Sequence, residues 1–173
     1  MIRVTLLSPR LIMEPPVPRE AEQFAEWLND PWVVKFSEQR HKKHTRQSQC
    51  DYWLSTATIR PNSVYSIYLF EPRTLIGSIS AKVDANNGVA NVGILIGDKT
   101  KWGKGIGIEA WTCFCNYLFY EEDIRKIEAG CMSVNSPMIR VMEKFGMRLE
   151  GTIKEHFELD GGYSDMLLYG KLR

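Results

Sequence analysis

In the stretch "GDKTKWGKGIGIEAW" (Gly97–Trp111), Gly103, Gly105 and Gly107 stand at alternate positions between an apolar run and a segment with helical spacing. Glycine loses more conformational freedom on folding than any other residue, so such a cluster marks a backbone that turns tightly or is approached closely. Where a strand gives way to a helix, main-chain N–H groups lack intrahelical partners and the helix N-terminus carries partial positive charge. That chemistry suits a phosphate or diphosphate: missing Cβ atoms let an anion reach the amides, and Lys101 and Lys104 add charge at the rim. An ordinary strand-to-helix corner is the competing reading.

Two common phosphate loops do not fit. No GxxxxGK[ST] run exists. The spacing is GxGxG rather than GxGxxG, and the strands before it read as antiparallel rather than as a parallel βαβ unit. Other reactive side chains are sparse. Cys50, Cys113, Cys115 and Cys131 show neither CxxC nor a His spacing suited to zinc, so free thiols and no metal are expected. His156, in "KEHFE", is the one isolated histidine, with an intrinsic pKa suited to proton transfer. A surface strand histidine is the plainer reading of it. The basic run Arg40-His41-Lys42-Lys43-His44 has no interleaved aromatics and reads as a solvated loop.

The elements that must position these residues follow from periodicity. "LLSPRLIMEPP" reads as a first strand ended by prolines. "REAEQFAEWLND" carries Ala21, Phe24, Ala25 and Leu28 at helical spacing and stops at Asp30-Pro31. "HTRQSQCDYWLSTA" reads as a second helix capped by Thr45. "NSVYSIYLF", "RTLIGSISAKVD" and "GVANVGILIG" are three strands joined by turns at "EPR" and "ANNG", hence antiparallel hairpins. From Gly105 a helix buries Gly107, Trp111, Phe114, Cys115, Leu118 and Phe119 on one stripe. Then come the strand "KIEAGCM" and the helix "NSPMIRVMEKFGM", with Asn135 or Ser136 as cap and Gly146 past its end. A closing hairpin turns at Asp160-Gly161-Gly162. This order is α+β.

At 173 residues the chain has the size of a single domain, residues 1–173. A net charge of +1 gives no reason to expect nucleic acid or a membrane surface as partner. No apolar run approaches the roughly 20 residues that span a bilayer. "MIRVTLLSPRLIMEPP" has no small-residue cleavage site after an apolar core, so a cytoplasmic location is expected.

"WGKGIGIEA" resembles the acetyl-coenzyme A loop of the GNAT superfamily of acetyltransferases, written [QR]xxGx[GA]. The resemblance extends through "WLNDPWVVKFSEQRHKKHT", "NSPMIRVMEKFGMRLEG" and "DGGYSDMLLYGKL", in family order, to members acting on ribosomal-protein N-termini and amino sugars. It implies a mixed, mostly antiparallel central sheet of about seven strands flanked by about four helices. It implies that Trp102, Gly103, Lys104, Gly105, Ile106 and Gly107 wrap the coenzyme's diphosphate, Trp102 standing where Gln or Arg is usual. It implies too that Ile94, Leu95 and Ile96, otherwise a buried strand, pair with the pantetheine arm and donate one N–H to the oxyanion, worth roughly 3–4 kcal/mol. Asn135 is implied as a cofactor and catalytic contact, with helix capping as its plain alternative.

The implied reaction is direct attack of a primary amine on the acetyl thioester, without metal or covalent intermediate. Here the chain departs from its relatives. A Tyr donor to the thiolate is replaced by Met142 and a Ser by Met138, leaving Ser133, Ser136 or water. The strand Glu that often serves as base is Asn91, leaving His156 or a water chain. Glu38, His41 and His44 lie in the segment that borders the acceptor cleft in relatives. The expected acceptor is a nucleotide-linked amino sugar, with a peptide N-terminus as alternative; a non-catalytic coenzyme sensor is the alternative of another class. A homodimer is compatible with the family, and exposed aromatics such as Trp32 or Trp53 are candidates for its interface.

Overall fold

The computed structural model describes residues 4–59, 63–159 and 161–173. Its elements, in order, are β1 (Leu6–Leu7), β2 (Leu11–Glu14), α1 (Ala21–Asn29), α2 (Arg46–Ile59), β3 (Val64–Leu69), β4 (Thr74–Asp84) and β5 (Val89–Ile96). They continue with α3 (Ile106–Tyr120), β6 (Lys126–Met132), α4 (Ser136–Lys144), β7 (Arg148–Leu159) and β8 (Gly162–Leu172). The fold is α+β with a mostly antiparallel sheet ordered β1-β2-β3-β4-β5-β6-β8-β7. Among the described residues there are eight strands rather than about seven, because the first predicted strand is two. Pro9 has no N–H to give a ladder, so the chain reverses at Ser8–Arg10, closed by Ser8 N–H to Leu11 C=O at 3.0 Å. β1 and β2 then pair antiparallel, Leu6 opposite Met13. Asn62 and Asp160, at the ends of a predicted strand and turn, lie outside the described residues, as do residues 1–3.

Contacts divide the chain into two compact units, one reaching to Ala81 and resuming over Gly93–Phe114, the other comprising Lys82–Val92 and Cys115–Arg173. In the first, β2, β3 and β4 form an antiparallel meander. Alternation puts Leu11, Met13, Tyr65 and Ile67 fully inside. Phe114 of α3 is buried with its ring 5.5 Å from that of Tyr65. Helices α1 and α2 pack through Phe24, which meets Trp27 and Trp53 edge-on at 5.2 and 5.4 Å. Trp53 is therefore a core residue, contrary to its reading as an exposed interface aromatic; Trp32 is 68% exposed. The buried Glu20 carboxylate, at the head of α1, accepts hydrogen bonds from Ser66 Oγ, Tyr68 OH and Val17 N–H, fastening that helix to β3.

In the second unit, β6 pairs antiparallel with β8, and β8 with β7. Val89–Asn91 of β5 run parallel to Lys126–Glu128 of β6. The helical stripe continues here with Cys115, Leu118 and Phe119 buried, Phe119 stacking on Phe145 at 6.3 Å. Cys113, two residues from Cys115, is only half buried, as its different helix face requires. Asn135 caps α4 and Gly146 follows it with φ +84°, the left-handed conformation that favours glycine.

Phe114→Ala is expected to cost about 3–5 kcal/mol, measured by urea unfolding, because its ring fills a site closed on all sides.

Candidate functional site

The glycine loop lies within the first unit. It begins where β5 ends, with Gly97 and Asp98 N–H both donating to the Ile76 carbonyl at 2.9 and 3.2 Å. A Cβ on Gly97 would overlap the Trp27 ring, so this glycine serves packing rather than a ligand. Asp98 turns the chain by accepting from Thr100 N–H (2.9 Å) and Thr100 Oγ1 (2.7 Å). Lys99 pairs with Asp30 at 2.5 Å, tying the turn to the end of α1. The hydrogen bond from Lys99 is the main reason the Asp30 carboxyl sits below its ordinary pKa.

Past Trp102 the backbone alternates. Gly103 and Gly105 have φ of +71° and +76°, and α3 starts at Ile106. Successive residues of opposite hand turn their N–H groups to one side, an anion-binding concavity. Trp102 N–H is used by Lys99 C=O, and Glu109 N–H by Gly105 C=O. Among the described residues, the main-chain N–H groups between them, from Gly103 to Ile108, have no partner. A Cβ on Gly103 would meet nothing within 4 Å. Glycine is needed at 103 for its φ, and the space beside it is open. Lys104 is exposed and Lys101 half-exposed at the rim, while the Ile106 side chain anchors inward.

Two further residues hold the loop, and the sequence singled out neither. Glu109, in the first turn of α3, accepts from Ser8 Oγ and Arg10 N–H at 2.8 Å each and from Arg10 Nε at 2.6 Å. Burial alone would raise its pKa, but these bonds outweigh burial and hold it below the ordinary carboxylate value. The one signal in the sequence is Pro9, which breaks the first predicted strand and makes the turn that presents Ser8 and Arg10.

Ile94, Leu95 and Ile96 are half-buried rather than buried. Pairing of β5 with β6 ends at Asn91, five residues before β5 does. The Trp102 indole N–H donates to the Ile96 carbonyl at 2.8 Å, tying the loop back to the end of β5. The loop and these strand residues thus belong to one local assembly.

Asn135 and His156 belong to the second unit. Asn135 Oδ1 accepts from Met138 N–H at 3.2 Å, the capping reading, while its amide nitrogen has no partner among the described residues. Met142 is fully buried and Met138 half-exposed, so neither position presents an acid. Ser133 Oγ meets Ser164 Oγ at 3.1 Å. His156 is exposed on β7, in a segment where register shifts between Ile153 and Phe157, its ring edge-on to Phe157 at 4.7 Å. A groove of about 410 Å³ is lined by Lys82, Asp84, Asn91, Arg125 and Glu128 and by none of the loop residues.

His44 is buried, with its ring nitrogens 3.3 Å from Gln39 C=O and from the Gln49 side chain. Its main chain exchanges bonds of 2.8 and 2.9 Å with the Asn29 side chain. It organises the loop between α1 and α2 and is not free to meet a substrate. Glu38 is paired with Arg40 at 2.7 Å, and His41 is exposed.

A strand end, a glycine turn of alternating hand and unpartnered amides opening a long helix form a concavity with the chemistry to receive an anion. Comparison with known proteins fixes the class: residues 10–148 match the model of the acetyltransferase (GNAT) domain, and the chain belongs to that family. Over 98% of this chain and 96% of the relative, it is 25% identical to an uncharacterized N-acetyltransferase, p20, of Bacillus licheniformis. In fold it is similar to a GNAT-family acetyltransferase from Bacillus anthracis, with a TM-score of 0.83 and 23% identity over 98% of each chain. It is also similar to RimL, a ribosomal L7/L12 alpha-N-protein acetyltransferase in complex with coenzyme A, with a TM-score of 0.84 and 17% identity over 98% of each. The chain is an N-acetyltransferase of GNAT type.

Gly105→Ala puts a side chain at φ +76°, a strain of about 1–2 kcal/mol. It is expected to lower the melting temperature by only a few degrees while weakening coenzyme A binding at least tenfold, roughly 1.4 kcal/mol, by calorimetry.

Proposed function

We propose that the chain transfers the acetyl group of acetyl-coenzyme A to a primary amine by direct attack, using the Trp102–Gly107 loop for the diphosphate. The observation that carries this reading is the run of unpartnered N–H groups at the start of α3. The pantetheine arm then lies along Ile94–Ile96 as an added strand, up to the carbonyl that Trp102 already occupies. One N–H of that strand polarises the thioester carbonyl and meets the oxyanion. The span of the family match, residues 10–148, takes in parts of both units, which supports reading the whole chain as one acetyltransferase domain.

With methionine at 138 and 142, the thiolate departs without a side-chain acid, or Ser133, Ser136 or a bound water assists it. A thiol with a pKa of about 8.5 is a tolerable leaving group without a strong acid. Proton removal from the amine falls to His156 or to solvent. If His156 is the base, His156→Ala lowers kcat/KM at least tenfold; an unchanged kcat/KM assigns the proton to water.

For the acceptor, the segment after α1 is informative. Residues 31–46 hold Lys35, Arg40, Lys42, Lys43 and Arg46 against the single acidic Glu38. Lys42, Lys43 and Arg46 are exposed, and Lys35 Nζ lies 5.8 Å from the exposed Trp32 ring and 5.3 Å from that of Phe36. Such a surface attracts an anionic acceptor. A nucleotide-linked amino sugar supplies that charge as diphosphate; a peptide N-terminus supplies it as carboxylates. Similarity in fold to a ribosomal-protein acetyltransferase gives the peptide at least equal standing.

Acetyl-transfer screening with mass detection, using UDP-amino sugars beside acidic and neutral peptides, decides between them. Lys42→Glu with Lys43→Glu is expected to raise the acceptor KM about fivefold or more without changing coenzyme A affinity. Coenzyme A binding without turnover of any amine would leave the sensor reading instead.

A further inference from the structure

A carboxylate in the first turn of a helix draws on the same partial positive charge that an anionic ligand uses. By simple electrostatics, then, Glu109 competes with a diphosphate at the start of α3. Its surroundings say otherwise. Every donor to its two oxygens comes from the Ser8–Arg10 turn, and none from the loop. Arg10, half-exposed, spends its Nε on Glu109 and reaches with Nη1 to the Lys104 carbonyl at 3.0 Å. Its Nη2 lies 3.5 Å from where a Cβ on Gly105 would stand.

The Lys104 carbonyl matters because of peptide geometry. In a trans peptide the C=O of one residue and the N–H of the next point in opposite directions. Drawing the Lys104 oxygen toward Arg10 therefore turns the Gly105 N–H away from Arg10, to the side left without a protein partner. Glycine on one side of this peptide makes its flip easy, and a flip would present a carbonyl to the anion in place of an amide.

We propose that Arg10 and Glu109 form a clamp that positions the coenzyme-binding loop, Glu109 fixing the guanidinium and Arg10 fixing the Lys104–Gly105 peptide so that its N–H faces the ligand. The proposal rests on the loop being a diphosphate site. Arg10 and Glu109 are positioning residues: they neutralise each other's charge and lower the conformational freedom that the loop loses on binding.

The test compares Ser8→Ala, Arg10→Gln, Arg10→Lys and Glu109→Gln with the parent protein. Calorimetry measures coenzyme A affinity, kinetics uses acetyl-coenzyme A and S-acetylpantetheine as donors, and melting reports the fold. Arg10→Gln and Glu109→Gln are expected to weaken coenzyme A about tenfold and raise the acetyl-coenzyme A KM accordingly. kcat stays within about twofold, and kcat/KM for acetylpantetheine, which lacks the diphosphate, is unchanged. Arg10→Lys does not rescue, because one ammonium cannot span Glu109 and the Lys104 carbonyl together. Ser8→Ala, the mildest change, weakens binding about two- to threefold.

The sign for Glu109→Gln is decisive. Tighter or unchanged coenzyme A binding makes Glu109 a competitor and overturns the clamp, as does full rescue by lysine or an equal loss with both donors. A parent protein that binds no coenzyme A overturns the functional reading and the clamp together; a parent that binds, with variants that match it, overturns the clamp alone.

Discussion

An anion settles on main-chain amides only where secondary structure has not already used them, and a folded chain leaves few such places. The start of α3 is one. A helix exposes its first N–H groups by construction, but most helices spend them on a capping side chain. Here no cap intervenes: the turn donors end at Trp102, the helix ladder starts at Glu109, and the amides between are open. The rest of the first unit keeps that opening in place. Trp27 closes on Gly97, Asp30 holds Lys99, and the Trp102 indole holds the end of β5.

The same economy explains why side-chain identity matters little at some positions and greatly at others. Backbone donors do not depend on residue type, so the loop can open with Trp102, whose indole N–H is already given to Ile96. Backbone conformation does depend on it. The left-handed φ at Gly103 and Gly105 is what turns successive amides to one side, and a β-carbon there opposes that geometry. In the proposed reading, specificity for the coenzyme resides in two torsions and a helix start, and the lysines at the rim supply attraction rather than shape.

Much of this was legible because local rules decide it. The alternating strands, the stripe Trp111–Phe114–Cys115–Leu118, the Asn135 cap and the glycine past α4 follow from period and capping, and all lie where the pattern put them. What failed depended on partners distant in sequence. Pro9 stands close to Pro15 and Pro16, which makes a hairpin look like one strand, and the roles of Ser8 and Arg10 are not legible locally because Glu109 sits about a hundred residues away. Trp53 is buried by Phe24, which belongs to another helix, so its place in the core does not follow from its own helix alone. His44 looked like a candidate for chemistry, but Gln39, Gln49 and Asn29 consume its polar groups.

The replacements at 138 and 142 bear on how the chemistry is divided. Direct aminolysis of a thioester needs the oxyanion stabilised and the two reactants held in line more than it needs a strong acid, since a thiolate leaves far more readily than an amine or alkoxide. Met142, fully buried, contributes packing under α4, where a tyrosine hydroxyl would need a polar partner. In the proposed reading, the glycine loop and the open end of β5 bind and orient the thioester without a side-chain acid. Rate is then set by how rigidly the thioester is placed, and that rigidity begins at the diphosphate.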